Sequence, residues 1–141
     1  MIDINIDDFF HDIAVTLLSL YQQFPRKISL YLEDISGPDD MDEFGLHSNR
    51  YLSTIGAVSW LHDEGYIRYS NIAHQESVED CTLTQAAFVK LIRPTLPSNH
   101  LADASSVEKQ QHTLAQQLHC ALKDQSSIEV RSLIERHLLT L

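Results

Sequence analysis

The sequence predicts a mainly α chain with one small antiparallel β element, an α+β class, closed by a C-terminal helical hairpin. Three observations carry that expectation. Apolar residues recur at three- and four-residue spacing in five stretches, the mark of half-buried helices. Two short alternating runs, 27–32 and 66–69, are bounded by proline, glycine and serine, as strands are. A turn-rich segment, 94–104, precedes two stretches that open alike.

Taken in order, Ile6, Phe9, Phe10, Ile13, Ala14, Leu17, Tyr21 and Phe24 form one stripe of a first helix, with Asn5 as its expected N-cap. Asp7 and Asp8 fall in the first turn, where the helix dipole favours negative charge. Pro25 ends the helix, and 27–32 reads as a short strand. Ser36-Gly37-Pro38 is a turn, after which 39–44 is expected to make one acidic helical turn ending at Gly45. Ser48 caps a second clear helix over 48–64, with Tyr51, Leu52, Ile55, Val58, Leu61 and His62 on one side and Gly65 at its left-handed end. Residues 66–69 read as a strand, 70–80 as a polar loop, and Cys81-Thr82-Leu83 as the returning strand. Thr84 caps a helix that runs to Pro94. Residues 94–104 read as a linker. Ser105-Ser106-Val107-Glu108 and Ser126-Ser127-Ile128-Glu129 are capping-box starts of the two hairpin helices, whose stripes are Val107, Leu114, Leu118, Ala121, Leu122 and Ile128, Val130, Leu133, Ile134, Leu138, Leu141.

Composition bounds the function. With 141 residues the expectation is one domain or one plus an appendage, divided here as 1–93, 94–104 and 105–141. Twenty acids against ten bases give a charge of -10, which disfavours a phosphate backbone as partner. That charge is local. Residues 1–44 hold Asp3, Asp7, Asp8, Asp12, Glu33, Asp34, Asp39, Asp40, Asp42 and Glu43 against only Arg26 and Lys27. Two cysteines, no long apolar run and an acidic N-terminus lead to the expectation of a cytoplasmic, non-membrane protein.

Val58-Ser59-Trp60-Leu61-His62-Asp63-Glu64-Gly65-Tyr66-Ile67, followed by Leu83-Thr84-Gln85-Ala86-Ala87, resembles the recognition helix, wing and next helix of winged helix-turn-helix regulators of the PadR and MarR type. Those end the helix in Leu-x-x-x-Gly-Tyr/Leu-Ile and open the next with Leu-Thr-x-x-Gly; here Ala87 replaces the glycine. The resemblance spans about 5–93 and implies a winged-helix-like fold. If it extends to DNA binding, His47, Ser48, Asn49, Arg50, Ser53 and Thr54 on the recognition helix, with Arg68 and His74 near the wing, are the contact candidates. The wing itself carries Glu76, Glu79 and Asp80, whereas a phosphate contact wants Lys or Arg.

No catalytic chemistry is legible. Eight histidines lack metal-ligand spacing, the 39–43 acids lack the pattern of a calcium loop, and neither cysteine has a nucleophile's local signature. The expectation is therefore no enzyme, no cofactor and no metal. The leading expectation is a protein-interaction module whose acidic surface, Asp34, Asp39, Asp40, Asp42 and Glu43, takes a protein partner, a basic one by charge. The hairpin stripes, larger than one hairpin buries, add the expectation of a homodimer. The alternatives are a DNA-binding transcriptional regulator and an acidic immunity or nucleic-acid-mimicking protein.

Overall fold

A computed structural model describes residues 2–95, 105 and 111–140. The first helix, α1 (Ile4–Gln23), is followed by β1 (Ile28–Tyr31), a short α2 (Glu33–Ser36) and α3 (Asn49–Asp63). Then come β2 (Ile67–Arg68), β3 (Asn71–Ala73), β4 (Ser77–Leu83), α4 (Gln85–Ile92), α5 (Leu114–Lys123) and α6 (Ser127–Leu133), which widens into a π-helical turn, Ile134–Leu138. The chain is thus mainly helical with one small antiparallel sheet.

β4 is the central strand. β1 pairs along one side of it and β2 and β3 along the other, all antiparallel. Opposite Ser29 the strand bulges: Ile28 pairs with Cys81 but Leu30 with Val78, so Glu79 and Asp80 share one partner position. Asp80 takes the left-handed conformation, at φ 54°, that the bulge requires. Glu79 is clamped there by hydroxyls of Ser29 and Ser77, each at 2.6 Å.

The helix ends show why these segments fold where they do. Ser48 Oγ accepts the Tyr51 N–H, Thr84 Oγ1 the Ala87 N–H, Thr113 Oγ1 the Gln116 N–H and Ser126 Oγ the Glu129 N–H. Gly65, at φ 80°, turns the chain from α3 into β2, where Ile67 is buried. Replacing Ser48 with alanine is expected to cost about 1 kcal/mol. Chemical denaturation of the variant measures it, and an unchanged midpoint would contradict the cap.

Four expectations are corrected. α1 starts two residues earlier, so Asp3 stands at the N-cap in place of Asn5, its carbonyl accepting the Ile6 and Asp7 N–H groups. The short helix is at Glu33–Ser36 and 39–44 is not helical, because Asp42 uses its side chain on local backbone donors. The polar stretch 70–80 is no loop but β3 and the start of β4, with His74 and Gln75 left-handed between them. The helix expected to run on through Leu114 is interrupted at 112–113: Gln111 is helical, the chain then bridges to Pro94, and Thr113 caps α5 at Leu114. The expected start at Ser106, Val107 and Glu108, and residues 96–104 of the linker, lie outside the described residues.

The two C-terminal helices also pack on the rest of the chain: α5 packs on α1 and α4, and α6 on α1. Leu114, Leu118, Ile134 and Leu138 are completely buried in the same cluster as Ile13, Leu17, Val58 and Leu61. Ile128, by contrast, is left exposed. Among the described stripe residues, Leu114, Leu118, Ile134 and Leu138 thus find their cover within the chain.

Candidate functional site

Arg50 decides how the face of α3 is read. α1 buries Asp12 completely, and an isolated carboxylate there would be costly. Arg50 meets it with two hydrogen bonds, Nη2 to Oδ1 at 2.6 Å and Nη1 to Oδ2 at 2.8 Å. Thr54, also buried, donates to Asp12 at 2.9 Å, and Asp8 lies 3.7 Å from Arg50 Nε. Burial alone would push the Asp12 carboxyl up, but the bonds from Arg50, His11 and Thr54 outweigh it and hold the group below the usual carboxylate range. Two of the expected DNA contacts, Arg50 and Thr54, are therefore internal ties between α3 and α1.

The other candidates divide. Ser48 is the cap, and His47 is stacked on Tyr51 with ring centroids 4.3 Å apart. Asn49 and Ser53 remain exposed on α3, beside the apolar Leu52. Arg68 is exposed on β2, after the far end of α3, and His74 is exposed in the β3–β4 turn. These positions do not gather into one positive face: the outward side of α3 at 49, 52, 53 and 56 carries no charge.

The acidic set also divides, and its division builds a site. Asp39 is structural: its Oδ1 accepts the Ser48 N–H at 3.1 Å and its Oδ2 lies 2.5 Å from His47 Nδ1. The bonds from Ser48 and from His47 hold its carboxyl below the usual range. Asp42 Oδ1 accepts both the Phe44 and the Leu46 N–H at 2.9 Å, closing the loop on itself. Asp34, Asp40 and Glu43 are exposed.

Between α2, this loop and the β3–β4 turn lies a groove of about 430 Å³ lined by Tyr31, Glu33, Asp34, Asp39, Met41, His47, Tyr51 and Glu76. Topology assembles it. β1 brings Tyr31, α2 brings Glu33 and Asp34, and the turn is drawn in by the Tyr51 hydroxyl, which donates to the Gln75 carbonyl. Burial pushes the Tyr51 phenol up, and Glu33, Asp39 and Glu76 add to it by their charge. The lining thus holds four carboxylates, one histidine and no lysine or arginine.

No family model matches the chain, and comparison with curated proteins and with solved structures finds no match.

Sequence reasoning named Asp34 and Asp39 as acidic surface but did not join Tyr31, Glu33 and Met41 to them, nor Glu76, which is distant in sequence from the rest. It also missed Asp12 as the partner of Arg50. A signal was present: an aspartate inside the apolar stripe of α1, between Phe9 and Ile13, calls for a buried cation. Among the described residues, no cluster of three His, Cys, Asp or Glu is placed to hold a metal ion, and no helix is long and apolar enough to cross a membrane. Cys81 is buried, its thiol pushed up to about 12.

Proposed function

We propose that this chain is a non-enzymatic protein-interaction module of winged-helix-like architecture, whose acidic groove and adjoining loop take up a basic partner protein. The observation that carries the reading is the groove lining, four carboxylates without a lysine or arginine, beside a helix whose arginine is spent on Asp12. The winged-helix part of the reading is supported by the element order over α1 to α4, with the 58–67 motif at the end of α3 and the start of β2, and Leu83-Thr84 where β4 passes into α4.

Chemically, a lysine or arginine entering the groove relieves repulsion among Glu33, Asp34 and Glu76 and gains charge-assisted hydrogen bonds. Tyr31, 57% exposed, offers a ring face for a guanidinium. Charges at such an open rim contribute little each, about 0.2–1 kcal/mol, but they speed encounter and make it salt-dependent.

The test uses the charge-reversal triple variant Asp34→Lys, Asp40→Lys, Glu43→Lys, all exposed positions. The wild-type chain, immobilised in extract of its own cells at low salt, is expected to retain a basic protein that elutes as salt rises. The triple variant is expected to bind that protein at least about tenfold more weakly, equivalent to about 1.4 kcal/mol. Equal retention by both forms would overturn the reading.

A further inference from the structure

Resting on that reading, we infer that loop 39–48 displays Phe44 and Leu46 as apolar anchors, and that the segment they receive is cationic and amphipathic, with lysine or arginine beside aliphatic or aromatic residues. Phe44 is 78% exposed, Leu46 63% and Met41 57%. Single exposed apolar side chains are ordinary on a protein surface. Three within six residues of one loop, next to an acidic groove that Met41 also lines, form a patch.

The loop that carries them is held in place. Besides the two bonds from Asp42 Oδ1 to the Phe44 and Leu46 N–H groups, the Asp42 N–H donates to the Leu46 carbonyl and the Gly45 N–H to the Asp42 carbonyl, both at 3.0 Å. Gly45, at φ 75°, supplies the left-handed residue that this closure needs. At its far end Asp39 holds His47 and Ser48. Much of the ordering cost of presenting these anchors is thus met before a partner arrives.

Charge selects the occupant. Asp40 and Glu43 are exposed within the same loop, and Glu33, Asp34 and Glu76 in the groove beside it. A second copy would set acid against acid, and a phosphate backbone or an anionic membrane would meet the same repulsion. A cationic amphipathic segment satisfies both halves: its basic side chains enter the groove and its apolar ones cover Phe44 and Leu46.

The probe is a phage-displayed library of random 12-residue peptides selected on the wild-type chain. Synthetic versions of the enriched peptides are then titrated against three forms: wild type, Phe44→Ala/Leu46→Ala, and the charge-reversal triple variant. Thermal melting checks that each variant is folded, which exposed positions should preserve. The enriched peptides are expected to combine lysine or arginine with apolar residues. They are expected to lose about 30-fold in affinity or more on Phe44→Ala/Leu46→Ala and to weaken with added salt. Basic peptides that lose affinity only on charge reversal would overturn the anchors while leaving the acidic-groove reading standing. Peptides that need Phe44 but carry no excess of lysine or arginine would overturn the cationic occupant. Absence of enrichment, or equal binding to all three forms, would overturn the inference together with its basis.

Discussion

Replacing Arg50 with alanine is expected to destabilise the chain by about 3 kcal/mol, the lower part of the range of about 3–5 for breaking a buried ion pair. The lower part applies because Arg50 keeps 30% of its side-chain surface in water, whereas Asp12 keeps none. What is lost is the partner of a carboxylate that cannot reach solvent. Asp12→Leu combined with Arg50→Met is accordingly expected to recover much of the loss, since the apolar pair leaves no buried charge. The pH dependence should reverse sign between the forms. In the wild type the Asp12 carboxyl lies below its unfolded value of 3.8. Its contribution is therefore present above that pH and is lost as pH falls through the folded value. Without Arg50 the cation that opposes burial is gone, and burial pushes the carboxyl up. The variant should then gain stability relative to wild type as pH falls from 7 toward 4. Urea denaturation across that range measures both, and parallel curves would contradict the pairing.

Leu118→Ala is expected to cost about 3 kcal/mol, within the range of about 2–5 for truncating a buried leucine. At this chain length that lowers the melting midpoint by about 10 °C. The informative feature is which signal moves. Trp60, the only tryptophan, sits on α3 with its ring 4.9 Å from Phe9 of α1, far along the chain from Leu118. If α5 and α6 share one core with α1, as Leu118 and Leu138 do with Ile13 and Leu17, fluorescence of Trp60 and far-UV dichroism should shift together. An unmoved Trp60 transition, with part of the helical signal melting early, would make the hairpin an independent unit.

Much of this architecture is legible in local sequence because its causes are local. Ser48 and Gly65 bracket α3, Thr84 opens α4, and Pro25 ends α1, each through backbone chemistry that a few residues specify. β3 was illegible for the opposite reason. Asn71, Ile72 and Ala73 become a strand only because Val78 and Ser77 of β4 pair with them. The acidic loop misled because composition gives aspartates as surface charge, whereas Asp39 and Asp42 are engaged on neighbouring backbone and histidine. Arg50 misled for a related reason: an arginine in the first turn of a helix reads as a free cation until its partner, 38 residues earlier, is seen. The groove was half legible, since Asp34 and Asp39 belong to the acidic run, while Tyr31 and Glu76 reach it only through the β1–β4 pairing and the turn that follows β3.

The most direct measurement is a gel-shift series with fragments of the DNA from the chain's own cells. Low salt, at about 50 mM, is chosen because phosphate binding is then strongest. With Arg50 committed to Asp12 and carboxylates around the adjoining groove, the wild-type chain is expected to retard no fragment. A fragment retarded by the wild type and released by Asn49→Ala or Ser53→Ala, the exposed polar positions of α3, would show that this helix reads DNA and would contradict the account.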